Sequence, residues 1–193
     1  MTNNRIIFSW LDASWKTTRV NNCVNYWFEK SILKQEIDLT RWTIKENISI
    51  ALNQWDKIQE DFIVMDRSII DLIVYYYVNR REDFLEEKEG IGSIFKIKKL
   101  LQEFLKNNIG TTFNYIKVSK EEMLNRLKTR QIKWKKLSKN DLKLLEDEKY
   151  LNNYIYFFDR VIEIFEKLNK KMWEVIKINK IDTTNLPKPW LQI

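Results

Sequence analysis

Arg5-Ile6-Ile7-Phe8-Ser9-Trp10-Leu11-Asp12-Ala13-Ser14-Trp15-Lys16-Thr17-Thr18 is the stretch that decides how this chain is read. Residues 5–9 form a short apolar run that suits a buried parallel strand, and residues 17–34 suit a helix. Between them, Lys16 and Thr17 stand in register with the phosphate-loop pattern G-x-x-x-x-G-K-[ST], with Trp10 and Trp15 where its glycines belong. Such a loop needs a Lys ammonium on phosphate oxygens, a hydroxyl on Mg2+ and consecutive N–H groups curled at a helix N-terminus. Glycine serves it because parts of the loop take φ > 0 and phosphate approaches the backbone closely. Tryptophan meets neither demand.

The rest of the chain repeats the strand–helix alternation. Residues 35–40 read as a weaker strand and 44–59 as a helix with Ile48, Leu52, Trp55 and Ile58 on one face. Phe62-Ile63-Val64-Met65 is a buried-strand run that ends at Asp66-Arg67-Ser68. Helices fit 69–80 and 93–107, a strand 113–118, and a helix 120–129 opened by the capping box Ser119-Lys120-Glu121-Glu122. Residues 131–137 are basic and irregular, a long helix covers 139–169, residues 174–178 form a last strand, and 180–193 are a tail. Alternating βαβ units predict one α/β domain over 1–193, with a parallel sheet covered by helices on both faces. Ligands of such sheets sit beyond the strands' carboxyl ends, here residues 9–18, Asp66-Arg67-Ser68 and the region of Arg41.

Composition excludes several chemistries. Histidine is absent, so no Ser-His-Asp triad, Cys-His pair or His-liganded zinc is possible. Cys23 is the single cysteine, structural and without an internal disulfide partner. No apolar run reaches membrane-spanning length and no signal core opens the chain, which predicts a cytoplasmic protein. The net charge of +7 predicts an anionic partner. The chain holds 3 Gly and 2 Ala but 8 Trp, an excess that AT-rich coding would not produce.

The opening stretch resembles the thymidylate kinase family's F-E-G-L-D-G-S-G-K-T-T. Thr40-Arg41 is similar to the start of that family's T-R-E-P motif, without its Glu and Pro. Phe62 to Ser68 resembles the strand ending in D-R-Y, and Val118 to Arg130 the strand, helix and R-x-x-x-R that lead into a lid at about 126–140. The likeness implies a P-loop NTPase-like three-layer α/β fold with a helical lid. It also implies transfer of the ATP γ-phosphate to a deoxynucleoside monophosphate, dTMP foremost, with Mg2+. Asp12, Ala13, Ser14, Trp15, Lys16, Thr17 and Thr18 would then hold ATP, with Asp12 also near the nucleotide sugar. Thr17 and Asp66 would hold Mg2+; Arg41 and Arg67 would hold the acceptor. Lys16, Asp66, Arg67, Arg126 and Arg130 would carry catalysis. Asp71 stands where the family often has a small polar residue, and Tyr75, Tyr76 and Tyr77 suit core packing, with base stacking as the alternative.

Several readings stay open at this level. A deoxynucleoside kinase would use the same parts on a free 5′-hydroxyl, and a homodimer is compatible with either enzyme. With Trp10 and Trp15 taken as written, the chain reads as an inactive kinase-like binding protein. Alternatively, some of its tryptophans are UGA codons that the cell reads as glycine, Trp134 included. A nucleic-acid binder is the remaining class, disfavoured because the acidic residues are well mixed into the basic 139–169 segment.

Overall fold

The computed structural model describes residues 4–9, 32–36, 43–53, 62–81, 92–132 and 137–185. Five strands, β1 (Asn4–Ser9), β2 (Ile32–Glu36), β3 (Phe62–Asp66), β4 (Thr112–Lys117) and β5 (Lys177–Asp182), form one sheet in the order β2-β3-β1-β4-β5. All four pairings are parallel, with Phe8 opposite both Asp66 and Asn114. In β4 the successive residues Phe113, Asn114, Tyr115 and Ile116 are all buried. Successive strand residues face opposite sides, so both faces of the sheet are covered.

Six helices are described: α1 (Ile44–Asn53), α2 (Ile69–Asn79), α3 (Gly92–Asn107), α4 (Lys120–Ile132), α5 (Lys139–Glu146) and α6 (Glu148–Lys171). α2 is apolar nearly all round and buried accordingly, from Ile69 through Val74 and again at Tyr76. α6 instead carries one stripe, Leu151, Tyr154, Phe158, Val161, Ile162, Phe165 and Leu168, at helical spacing. Phe165 meets Phe113 of the sheet at 5.0 Å and Phe104 of α3 at 6.1 Å between ring centroids. Tyr77 of α2 stacks on Phe157 of α6 at 3.9 Å. The core is therefore one aromatic-rich seam between sheet and helices.

Three boundaries and one cap differ from the sequence expectation. β2 occupies 32–36, not 35–40, so Ile32, Leu33 and Lys34 leave the expected 17–34 helix and join the sheet. The expected single helix over 139–169 is two, because Asp147 turns extended (φ −117, ψ 96) and its carboxylate accepts from Tyr150 N–H at 2.9 Å. A side chain that satisfies a helix N-terminus outcompetes continuation of the preceding turn. β5 occupies 177–182, not 174–178, so Lys180, Ile181 and Asp182 leave the expected tail and pair with β4. It begins at Lys177 because Ile176 is held in a turn by Asn169, whose amide donates to Ile176 O and accepts from Ile176 N–H. The Ser119 box closes on one side only. Ser119 Oγ accepts from Glu122 N–H, while Glu122 turns to Arg126 at 2.7 Å.

Candidate functional site

The chain leaves the carboxyl end of β1 for β2 on one side, and the end of β4 for β5 on the other. The end of β1 is thus the topological switch point, where open α/β sheets take their ligands. Ser9 closes β1 there and is fully buried. Its hydroxyl donates to Asp71 Oδ2 of α2 at 2.5 Å. The same carboxylate oxygen accepts from Ser68 N–H at 2.7 Å and lies 3.0 Å from Ser68 Oγ. Ser68 is the N-cap of α2, its Oγ accepting from Ile70 N–H in a full capping box with Asp71. One buried carboxylate therefore ties the last residue of β1 to the start of α2.

Arg67 sits between β3 and that cap. It is half-buried and its φ is 95, a left-handed conformation rare for a residue with a Cβ. Such residues cost about 1–3 kcal/mol and persist where their surroundings over-determine them. Here the strand ladder fixes Asp66 on one side and the capping box fixes Ser68 on the other. The Asp66-Arg67-Ser68 segment is a rigid corner at the sheet's carboxyl edge, beside the end of β1.

The expected lid arginines part company. Arg126 is buried, and its guanidinium donates to Thr183 Oγ1 at 3.1 Å and to the Thr183 carbonyl, besides its ion pair with Glu122. Thr183 N–H in turn donates to Lys117 O at 2.7 Å, and Ser119 N–H to Thr184 Oγ1 at 2.9 Å. Arg126 thus locks α4 onto the ends of β4 and β5. Arg130, one turn on, is partly exposed and lies 3.6 Å from Asp141 Oδ2, the N3 residue of α5. It faces the gap between α4 and α5. Thr184 hydrogen bonds hold the Asp182 carboxyl below its usual range. Burial first, then the hydrogen bond to Asp159, pushes the Tyr115 phenol far above its own.

Tyr76 packs inside and accepts a hydrogen bond from Asn47 at 2.6 Å, while Tyr77 stacks on Phe157 and Arg81 covers its ring at 5.0 Å. These tyrosines serve the core. Residues 10–18, Arg41, Lys133 to Lys136 and the segment after Asn185 lie outside the described residues, as does the Asp66 side chain. Among the described residues no group of three acidic or Cys side chains gathers to hold a metal, and no helix is long and apolar enough to cross a membrane. Sequence reading missed Ser9 and Asp71 as partners. The Ser68-x-x-Asp71 spacing signals the cap, but nothing local signals the bond to Ser9.

No protein-family model and no curated protein matches this chain. Solved structures do. Polyphosphate kinase 2 from Arthrobacter aurescens TC1 superposes with a TM-score of 0.64 at 14% identity, over 93% of this chain. The chain spans 62% of that kinase's length. Thymidylate kinase from Candida albicans matches with 0.51 at 16% identity, covering 95% of this chain and 85% of its own. The YorR protein of Bacillus subtilis, solved with phosphorylated GDP, matches with 0.50 at 13%, covering 93% and 86%. The fold is the α/β, P-loop NTPase-like fold of these proteins.

Proposed function

We propose that the protein moves the γ-phosphate of ATP to a deoxynucleoside monophosphate, dTMP before others. The observation that carries this reading is the corner at the switch point: the Lys16-Thr17-Thr18 run follows the very strand end that Asp71 ties to the Arg67 turn. Donor and acceptor sites of a phosphoryl transfer must sit side by side, and the reading is supported by β1 and β3, the strands that the two sequence motifs follow, being neighbours in the sheet.

In this reading Lys16 offsets charge on the β- and γ-phosphates, and Asp12 to Thr18 hold ATP through backbone N–H groups. Arg67 presents a bidentate fork to the acceptor's phosphate, with Arg41 beside the acceptor. Thr17 and Asp66 supply the hydroxyl and carboxylate oxygens that suit Mg2+, which neutralises phosphate oxygens when bound. Asp66 ends β3 next to the end of β1, so the donor set fits the ion in kind. Arg130 meets the transferring group on lid closure; Arg126 acts through position, holding α4.

The test measures dTDP formed from dTMP and dTMP formed from thymidine with ATP and Mg2+. Turnover of dTMP supports the proposal, and turnover of thymidine alone moves the assignment to a deoxynucleoside kinase. Failure of both in a folded protein that also takes up no Mg-ATP favours the inactive binding-protein reading, for which Trp10 and Trp15 as written are the specific observation. Mg-ATP binding at ordinary affinity by the protein as written would overturn that reading.

A further inference from the structure

Trp173 is the one tryptophan among the described residues, and it stands where a helix end calls for glycine. α6 stops at Lys171 with Met172 as its cap, after which Trp173 takes φ 64 and Glu174 φ 53. Glu174 N–H donates to Asn169 O at 2.9 Å and Trp173 N–H to Lys170 O at 3.3 Å. These two bonds define the Schellman motif, with residue 173 at C′, the position that favours glycine. In this conformation a Cβ crowds the following carbonyl. The indole gains nothing in return, since Trp173 is 94% exposed. Nor is the turn free to relax: Asn169 grips Ile176, and Gly110 N–H donates to Val175 O at 2.8 Å. Arg67 and Glu174 share the left-handed region, so φ alone does not single out residue 173. The Schellman position does.

Two further tryptophans, Trp10 and Trp15, stand at the two glycine positions of the phosphate-loop pattern, beside an intact Lys16-Thr17-Thr18. Glycine is short in this chain, at 3 residues against 8 Trp. We infer that residues 10, 15 and 173 are glycines in the protein the cell makes, specified by UGA codons that the cell reads as glycine. The helix end and the loop are independent sites with different reasons for wanting glycine, and the same substitution answers both. The consequence for function, which rests on the phosphotransfer reading, is an unobstructed loop able to take the polyphosphate of a nucleoside triphosphate.

Peptide mapping by mass spectrometry, on protein isolated from cells that carry the gene, decides the inference without any activity measurement. Glycine masses at 10, 15 and 173, with UGA at each codon, are expected. UGG at any of the three, or a tryptophan mass in any of the three peptides, overturns it. Recombinant protein supplies two further arms. Trp173→Gly should raise Tm by about 2–4 °C, and an unchanged or lowered Tm contradicts the reading of the helix end. Trp10→Gly/Trp15→Gly should bind Mg-ATP. Glycine masses together with no ATP binding by that variant would leave the recoding standing and overturn the phosphotransfer reading.

Discussion

Replacing Asp71 by alanine removes the acceptor that Ser9 Oγ, Ser68 N–H and Ser68 Oγ converge on, at 2.5, 2.7 and 3.0 Å. A buried donor left without an acceptor costs about 1–3 kcal/mol, and loss of a helix cap typically about 1 kcal/mol. The terms do not simply add. Ser68 Oγ lies 3.1 Å from Ser9 Oγ, so the two hydroxyls can still satisfy one another in part. The net expectation is a loss of about 2–4 kcal/mol, mostly from Ser9 and the cap N–H. With a urea slope of about 2 kcal/mol per molar, the unfolding midpoint falls by about 1–2 M at unchanged slope. Asp71→Asn keeps an acceptor oxygen and the side-chain volume, so it should lose about 1 kcal/mol. Ser119→Ala, at an exposed cap, should also lose about 1 kcal/mol. Equal losses for Asp71→Ala and Asp71→Asn, or a midpoint shift below about 0.3 M for alanine, would refute the buried junction.

The two lid arginines should separate by assay. Arg126→Met strands the Thr183 carbonyl and should cost about 2–4 kcal/mol in urea unfolding. Arg130→Met should leave stability within about 1 kcal/mol yet lower phosphoryl-transfer turnover by about 10²-fold or more. Asp147→Ala should cost about 1 kcal/mol by removing the α6 cap, read as a lower urea midpoint. Tyr115 makes an alkaline prediction. Its phenol stays protonated in the fold above the ordinary 10.0, whereas the unfolded chain releases that proton near it. The folded state then holds the extra proton, so stability falls as pH rises beyond about 10, by about 1.4 kcal/mol per pH unit. Urea midpoints of wild type and Tyr115→Phe at about pH 9 and pH 11 should show a shallower loss in the variant.

What the sequence made readable was whatever repeats locally. Ile6-Ile7-Phe8 and Phe62 to Met65 announce central parallel strands because both their faces are apolar, as does Phe113 to Ile116 but for Asn114. Ile32-Leu33-Lys34-Gln35-Glu36 carries no such run, and its place was fixed by pairing with β3, which no local pattern encodes. Val175 and Ile176 look like a strand but are spent on the turn that Asn169 and Gly110 hold. Between Leu145 and Tyr150 stand only Glu146-Asp147-Glu148-Lys149, a charged turn that the solvent face of one continuous helix would also show, which hides the cap at Asp147. The spacing of Arg126 and Arg130 gave a shared helix face. Whether Arg126 meets solvent or core depended on Thr183, far along the chain, arriving at the end of β4. The Ser9–Asp71 bond is of the same kind, legible only once β1 and α2 are adjacent.

Calorimetric titration of Mg-ATP into the Trp10→Gly/Trp15→Gly protein tests the phosphate site at the end of β1 most directly. Saturable one-site binding is expected, weakened at least about tenfold when Lys16→Ala is added. A folded double variant that takes up no Mg-ATP, or one whose binding ignores Lys16, would contradict it.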